Sequence, residues 1–232
     1  MIDADDPGAG DADQEEGYAS LQVKIKGLEG AKQITMNTNA LEIKINAIQI
    51  LKNLARNMEV HMFEYVEEIA KLCLEKCLTD KFTQTVRKES GKLMRFLIAA
   101  CKEHPDKQRT LYIMTYAILI EELEARIKRK EFDQVVAILK ELSKQIRLFS
   151  GFKDKGISIY SVEDAQTYLN KLKSIVELIN ADKIERIQKV KKMGKKVDQE
   201  DMEYFLEDLE DIDKGIHHVM EICGSLMQNM GD

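Results

Sequence analysis

The chain has 232 residues, 44% of them hydrophobic and 33% charged, with a formal net charge of −6. That length builds one sizeable core or a short repeat array, and the acidic balance argues against a general nucleic-acid binder, which needs a basic face to release counterions. Two prolines and no Trp favour long uninterrupted helices over β-rich folds.

Residues 1–17 hold seven acids and no base and read as an unfolded acidic segment. SLQVKIKG (20–27) alternates like a strand, but no partner strand is evident nearby, so residues 18–38 read as an extended, irregular lead-in packed on helices. Seven helical patterns follow. Leu41, Ile45, Ile48, Leu51 and Ala55 form one apolar stripe, with Asn39 as candidate N-cap. A second helix over about 59–78 carries Phe63, Val66, Ala70, Cys73 and Cys77, and a third over about 82–103 carries Phe82, Val86, Leu93, Leu97 and Cys101. Pro105 suits the first turn of a fourth, which carries Ile113, Tyr116, Ile120, Leu123 and Ile127. The fifth has the cleanest stripe: Phe132, Val135, Leu139, Leu142, Ile146 and Phe149. After a loop over 151–160, Ser161 and Asp164 make a capping sequence for a sixth helix. Its stripe of Tyr168, Leu172, Ile175 and Ile179 gives way to a lysine-rich end that is expected to project into solvent. A seventh helix over about 198–230 keeps Met202, Phe205, Leu209, Ile212, Ile216, Val219, Cys223, Leu226 and Met230 in register.

The expected fold class is all-α: a HEAT-repeat α-solenoid fragment of about three helix pairs plus one unpaired helix. The pairs fall at 39–78, 82–130 and 131–196, with 198–230 unpaired. Helix starts near 39 and 82, then 82 and 131, are about one HEAT period apart. A closed up-and-down bundle is the alternative. The unpaired last helix favours the array and suggests a piece of a longer chain. Cys73, Cys77, Cys101 and Cys223 all fall on apolar helical patterns and read as core thiols in a reducing compartment rather than metal ligands. The longest apolar runs, such as YIMTYAILI (112–120), are too short to span a membrane, so a soluble intracellular protein is expected.

The order of features resembles a known family. KIKGLEGA (24–31), MFEYVEEIAKL (62–72), VRKESGKLMRFLIAACKEH (86–104) and the basic-then-acidic segment 183–213 are similar to the middle-to-C-terminal repeats of importin-β nuclear transport receptors, in the karyopherin β3 (Ran-binding protein 5) branch. Gly30 departs from that pattern, where an acid is expected. The resemblance implies a receptor that binds basic protein cargo, is regulated by the Ran GTPase and shuttles between cytoplasm and nucleus. It implies no cofactor, no small-molecule substrate and no membrane. The alternative function is a helical scaffold or adaptor for protein–protein interactions with no transport role.

The most conspicuous charge feature changes sign midway. Lys189, Lys191, Lys192, Lys195 and Lys196 form a run without acids. Asp198, Glu200, Asp201, Glu203, Glu207, Asp208, Glu210, Asp211 and Asp213 follow without a base. The acids read as a solvated helix face, as a recognition surface for a basic partner, or as partners of the lysine run. The lysines and KRKEF (128–132) lack the aromatic platforms that bind single strands. Enzymatic motifs are missing from the sequence: no G-x-S-x-G, phosphate-binding loop or H-E-x-x-H occurs. His217 and His218, adjacent on a helix, should point about 100° apart and not serve one site.

Overall fold

A computed structural model describes residues 18–24, 31–80, 83–150, 160–193 and 199–229. The acidic segment 1–17, Phe82, nearly all of the loop expected over 151–160, Lys195, Lys196 and Asp198 lie outside the described residues. The chain divides into two units, Met1–Ala47 and Ile48–Asp232. The first contains an antiparallel hairpin of β1 (Tyr18–Lys24) and β2 (Ala31–Asn37), in register from Tyr18 opposite Asn37 to Lys24 opposite Ala31. This corrects the partnerless extended segment expected there. AKQITMN lacks clear alternation, so its sequence did not announce a strand. Helix α1 (Thr38–Met58) begins directly after β2.

Within Ile48–Asp232 the elements are helices, as expected for the all-α class: α2 (Phe63–Leu72), α3 (Gln84–Ala100), α4 (Pro105–Lys128), α5 (Phe132–Ile146), α6 (Val162–Met193) and α7 (Gln199–Asn229). A π-helical turn, Cys73–Cys77, extends α2, and Leu78 N–H donates to Cys73 O at 2.8 Å. Pro105 occupies the first turn of α4. Ser161 Oγ accepts from Asp164 N–H at 3.0 Å, as its capping sequence predicts.

The helices stack in two layers, with α3, α5 and α7 in one and α4 and α6 in the other. Across the layers α3 packs on both α2 and α4, α4 packs on α5, and α6 on α7, the continuous stacking expected of a helical solenoid.

The α4–α5 turn shows how tightly a pair is joined. Lys130 takes a left-handed conformation (φ 61°), and Glu131 N–H returns to Arg126 O at 3.1 Å, closing the end of α4. The buried Arg126 guanidinium bonds Glu122 at 2.7 Å and Glu131 at 2.6 Å on either side of that closure. A cluster of rings joins α4 to α6: Tyr112 packs on Phe149 at 4.9 Å between centroids, and Tyr116 on Tyr168 at 4.6 Å.

The densest packing is between α5 and α7. Leu139, Leu142 and Ile146 are wholly buried on α5, and full burial of each such side chain is worth about 1.5–3 kcal/mol. On α7 the buried stripe is Ile212, Gly215, Val219, Ile222 and Leu226, and it begins only at Ile212. Of the expected stripe before it, Phe205 and Leu209 are half-buried and Met202 is exposed, so cover thins towards the amino terminus of α7. A Cβ at Gly215 would meet Leu139 Cδ1 at 3.6 Å and Val136 Cγ2 at 3.7 Å, which is ordinary contact. Replacing a helix-interior glycine by alanine gains up to about 1 kcal/mol. Gly215→Ala should therefore raise the melting temperature, while Gly215→Leu should overpack the interface and lower it by about 1–3 kcal/mol of stability. Thermal denaturation of both variants checks the close α5–α7 approach.

Candidate functional site

From Glu200 onward the acidic segment lies on the amino-terminal half of α7, and Lys189, Lys191 and Lys192 lie on the carboxyl-terminal end of α6. Lys189, Lys191 and Lys192 are exposed on the last turns of α6. Glu200 and Asp201 lie in the first turn of α7. Glu203, Glu207, Asp208, Glu210 and Asp213 are exposed, and Asp211 is half-buried.

Among the described residues, Arg186 binds Asp208 and Lys183 binds Asp213 at 2.5 Å, pairs that join α6 to α7 one to two turns deeper on α6 than the lysine run. Arg186 also binds Asp182 on its own helix at 2.5 Å and lies over the Phe132 ring at 4.8 Å. Lys130 reaches Asp182 at 3.3 Å and Glu185 at 3.0 Å from the α4–α5 turn. Acids of the α7 run therefore divide by role. Asp208 and Asp213 join α7 to α6. Glu210 and Asp211 contact Lys214 of the same helix at 3.0 and 3.2 Å, which holds the Lys214 ammonium above its ordinary pKa. Pairs this exposed are screened by solvent and contribute little to stability. They leave the carboxylates of α7 accessible to a partner.

A second polar site was not foreseen. Glu221 of α7 accepts from Ser143 Oγ of α5 at 2.8 Å, meets His218 Nδ1 at 2.9 Å and pairs with Arg147. His217 Nε2 is 3.6 Å from the same carboxylate. The two histidines thus converge on one group after all. They sit three and four residues before Glu221, and both spacings return to the same helix face. The hydrogen bond from His218, then that from Ser143, holds the Glu221 carboxyl down to about 2. The periodicity of α7 could not reveal this site, because Ser143 and Arg147 come from another helix.

Cys73, Cys77 and Cys101 are buried and Cys223 is half-buried. Cys73 bonds Cys77, and that contact, followed by burial, pushes the Cys73 thiol far up; burial pushes Cys101 up to about 11. Such thiols stay protonated and pack as small apolar groups. Among the described residues, no group of three or more His, Cys, Asp and Glu is placed to hold a metal ion. Nor is any described helix long and apolar enough to cross a membrane.

No family model and no curated protein sequence matches the chain. Solved structures do. The karyopherin Kap121p bound to Pho4p aligns at 19% identity over 93% of this chain and 19% of that one, with a TM-score of 0.62. Kap121p bound to RanGTP aligns at 18% over 93% and 18%, also at 0.62, and Kap121p bound to the SUMO protease Ulp1p at 17%, with a TM-score of 0.61. The chain thus has a transport-receptor-like fold, the HEAT-repeat solenoid of a karyopherin. It spans about a fifth of the length of the solved chains it matches.

Glu221 gives a pH-dependent test of the α5–α7 contact. Its folded pKa lies below the ordinary carboxylate value near 4.3, so its stabilisation is present above that value and is lost as pH falls towards 2. Glu221→Gln should be less stable than the native chain at pH 7 by about 1 kcal/mol, allowing for partial solvent exposure. The gap should narrow between pH 5 and about 2 in denaturant titrations.

Proposed function

We propose that the chain is a segment of a nucleocytoplasmic transport receptor of the importin-β superfamily, in its karyopherin β3 (Ran-binding protein 5) branch. In this reading it is a binding protein rather than an enzyme, and it shuttles between cytoplasm and nucleus. The array proper runs over residues 39–232, after the acidic segment 1–17 and the lead-in 18–38. Its partner-binding face is the layer of α3, α5 and α7.

The observation that carries this reading is the likeness of nearly the whole chain to a karyopherin solved with Pho4p, Ste12p, Nup53p and RanGTP. Acidic α7 supports it from the residues themselves. Asp198, Glu200, Asp201, Glu203, Glu207, Glu210 and Asp211 would present carboxylates to a basic cargo segment or a basic patch on Ran, while Asp208 and Asp213 also tie α7 to α6. Long-range attraction of this kind accelerates encounter and fades with salt. In the same reading Lys189, Lys191 and Lys192, with Lys195 and Lys196 following them in sequence, would act as a basic patch that repels basic segments.

Reversing Glu207, Glu210 and Asp211 to Lys leaves the α6–α7 ion pairs intact. In the receptor that carries this segment, the triple variant should bind a lysine-rich import-signal peptide or GTP-bound Ran about tenfold more weakly at low ionic strength. Fluorescence titration checks both ligands, with circular dichroism confirming the fold. Unchanged affinity for both would overturn the assignment of α7 as a partner surface.

A further inference from the structure

Between α3 and α5 runs a groove of about 440 Å³, whose far end reaches Asp211 of α7. The two helices lie parallel. Gln84 donates to Asp133 at 3.3 Å near their amino-terminal ends, and Gln145 donates to Gly91 O at 3.2 Å further along. Glu122, Asp133 and Asp211 line the groove towards the amino-terminal ends of the two helices, together with Arg87. Four lysines, Lys88, Lys92, Lys140 and Lys144, line the rest, with Glu141 buried among them.

The acids and the lysines differ in how their charges are met. Glu122 pairs with Arg87 at 3.2 Å and with Arg126, Asp133 accepts from Gln84, and Asp211 pairs with Lys214. The buried Glu141 already faces Arg95 at 3.4 Å. Of the lysines, only Lys92 has a carboxylate in ion-pair range, Glu89 at 2.6 Å. Lys88, Lys140 and Lys144 have none among the described residues. Burial, then the positive charge of Arg95, lowers the Lys144 ammonium's pKa against the opposing pull of Glu141, and Lys140 and Lys92 add to the lowering. The groove therefore holds a local excess of positive charge within a chain whose net charge is −6.

We propose that this groove docks an acidic peptide segment, whose carboxylates are read by Lys88 and Lys92 on one wall and Lys140 and Lys144 on the other. Each wall presents two lysines four residues apart, a separation of about 6 Å along a helix. Alternate side chains of an extended peptide are about 6.6–6.8 Å apart on one face. A short acidic run with every second residue Glu or Asp therefore matches a lysine wall. The half-buried Val136, Ala137 and Ile138 offer apolar contact beside it. A nucleic acid fits less well, because a continuous phosphate backbone would carry its charge onto Asp133 and Asp211. The inference rests on the lysines of α3 and α5, whereas the proposed contact with a basic partner rests on the acids of α7.

The test uses the full 232-residue chain and a fluorescein-labelled peptide of alternating Glu and Ser, followed by polarisation at low ionic strength. Saturable binding is expected, with about a tenfold loss for Lys140→Glu/Lys144→Glu. Lys140→Gln/Lys144→Gln should give a smaller loss, which separates removal of attraction from added repulsion. Lys171→Glu/Lys173→Glu, the same charge change on α6, should stay within about twofold of the native chain. Absence of saturable binding would overturn the proposal, as would equal losses for the α5 and α6 variants. A single-stranded oligothymidylate binding more tightly than the peptide, with the same Lys140 and Lys144 dependence, would reassign the groove to nucleic acid.

Discussion

Helix α5 is covered by α3, α4 and α7, and three polar side chains buried with it reach across to α3 and α7. It has only fifteen residues, yet Glu141, Ser143 and Gln145 are buried along with its apolar stripe. An unpaired polar group in such a position costs about 1–3 kcal/mol. Gln145 donates to the backbone of Gly91, Ser143 to Glu221, and Glu141 faces Arg95. Apolar packing alone would tolerate sliding of one helix along another. These directional contacts tie α3, α5 and α7 to one register, and with it they fix which charges stand beside which.

The charged surfaces follow from that register. Because α3 and α5 lie parallel, Lys88, Lys92, Lys140 and Lys144 line one shared groove. Because α6 runs antiparallel to α7, Lys183 meets Asp213 and Arg186 meets Asp208, while Glu203, Glu207 and Glu210 stay exposed. A single layer thus carries an acidic helix and a lysine-walled groove side by side. A partner that engaged both would need opposite charges in neighbouring segments, which is a stricter requirement than net charge.

Much of the fold was legible as helical periodicity. The stripe Phe132, Val135, Leu139, Leu142, Ile146 and Phe149 is buried at every position, and Ser161 caps α6 where its sequence says it should. A stripe reports that a face is covered but not which neighbour covers it, so the sequence did not say that α3 packs on both α2 and α4. The sharp Lys130 turn joining α4 to α5 has no Gly to announce it. Nor did the α7 stripe tell how cover varies along it: Phe205 and Leu209 are half-buried and Met202 exposed, before the point where α7 meets α5. Within the candidate site, the acidic run stood out as composition. Its division into α6-bound and outward-facing acids depended on Lys183 and Arg186, which precede the lysine run and belong to no motif. Glu221 and the groove lysines were invisible for the same reason, since each is defined by a residue on another helix.

The central claim is that α5 is the element on which the neighbouring helices depend, and native-state hydrogen exchange measures this directly. The account predicts that amides from Val135 to Ile146 exchange only through global unfolding, with the full stability of the domain, while the amino-terminal turns of α7 before Ile212 exchange through small local openings. Exchange of the α5 amides by local fluctuation, as fast as those early turns of α7, would contradict it.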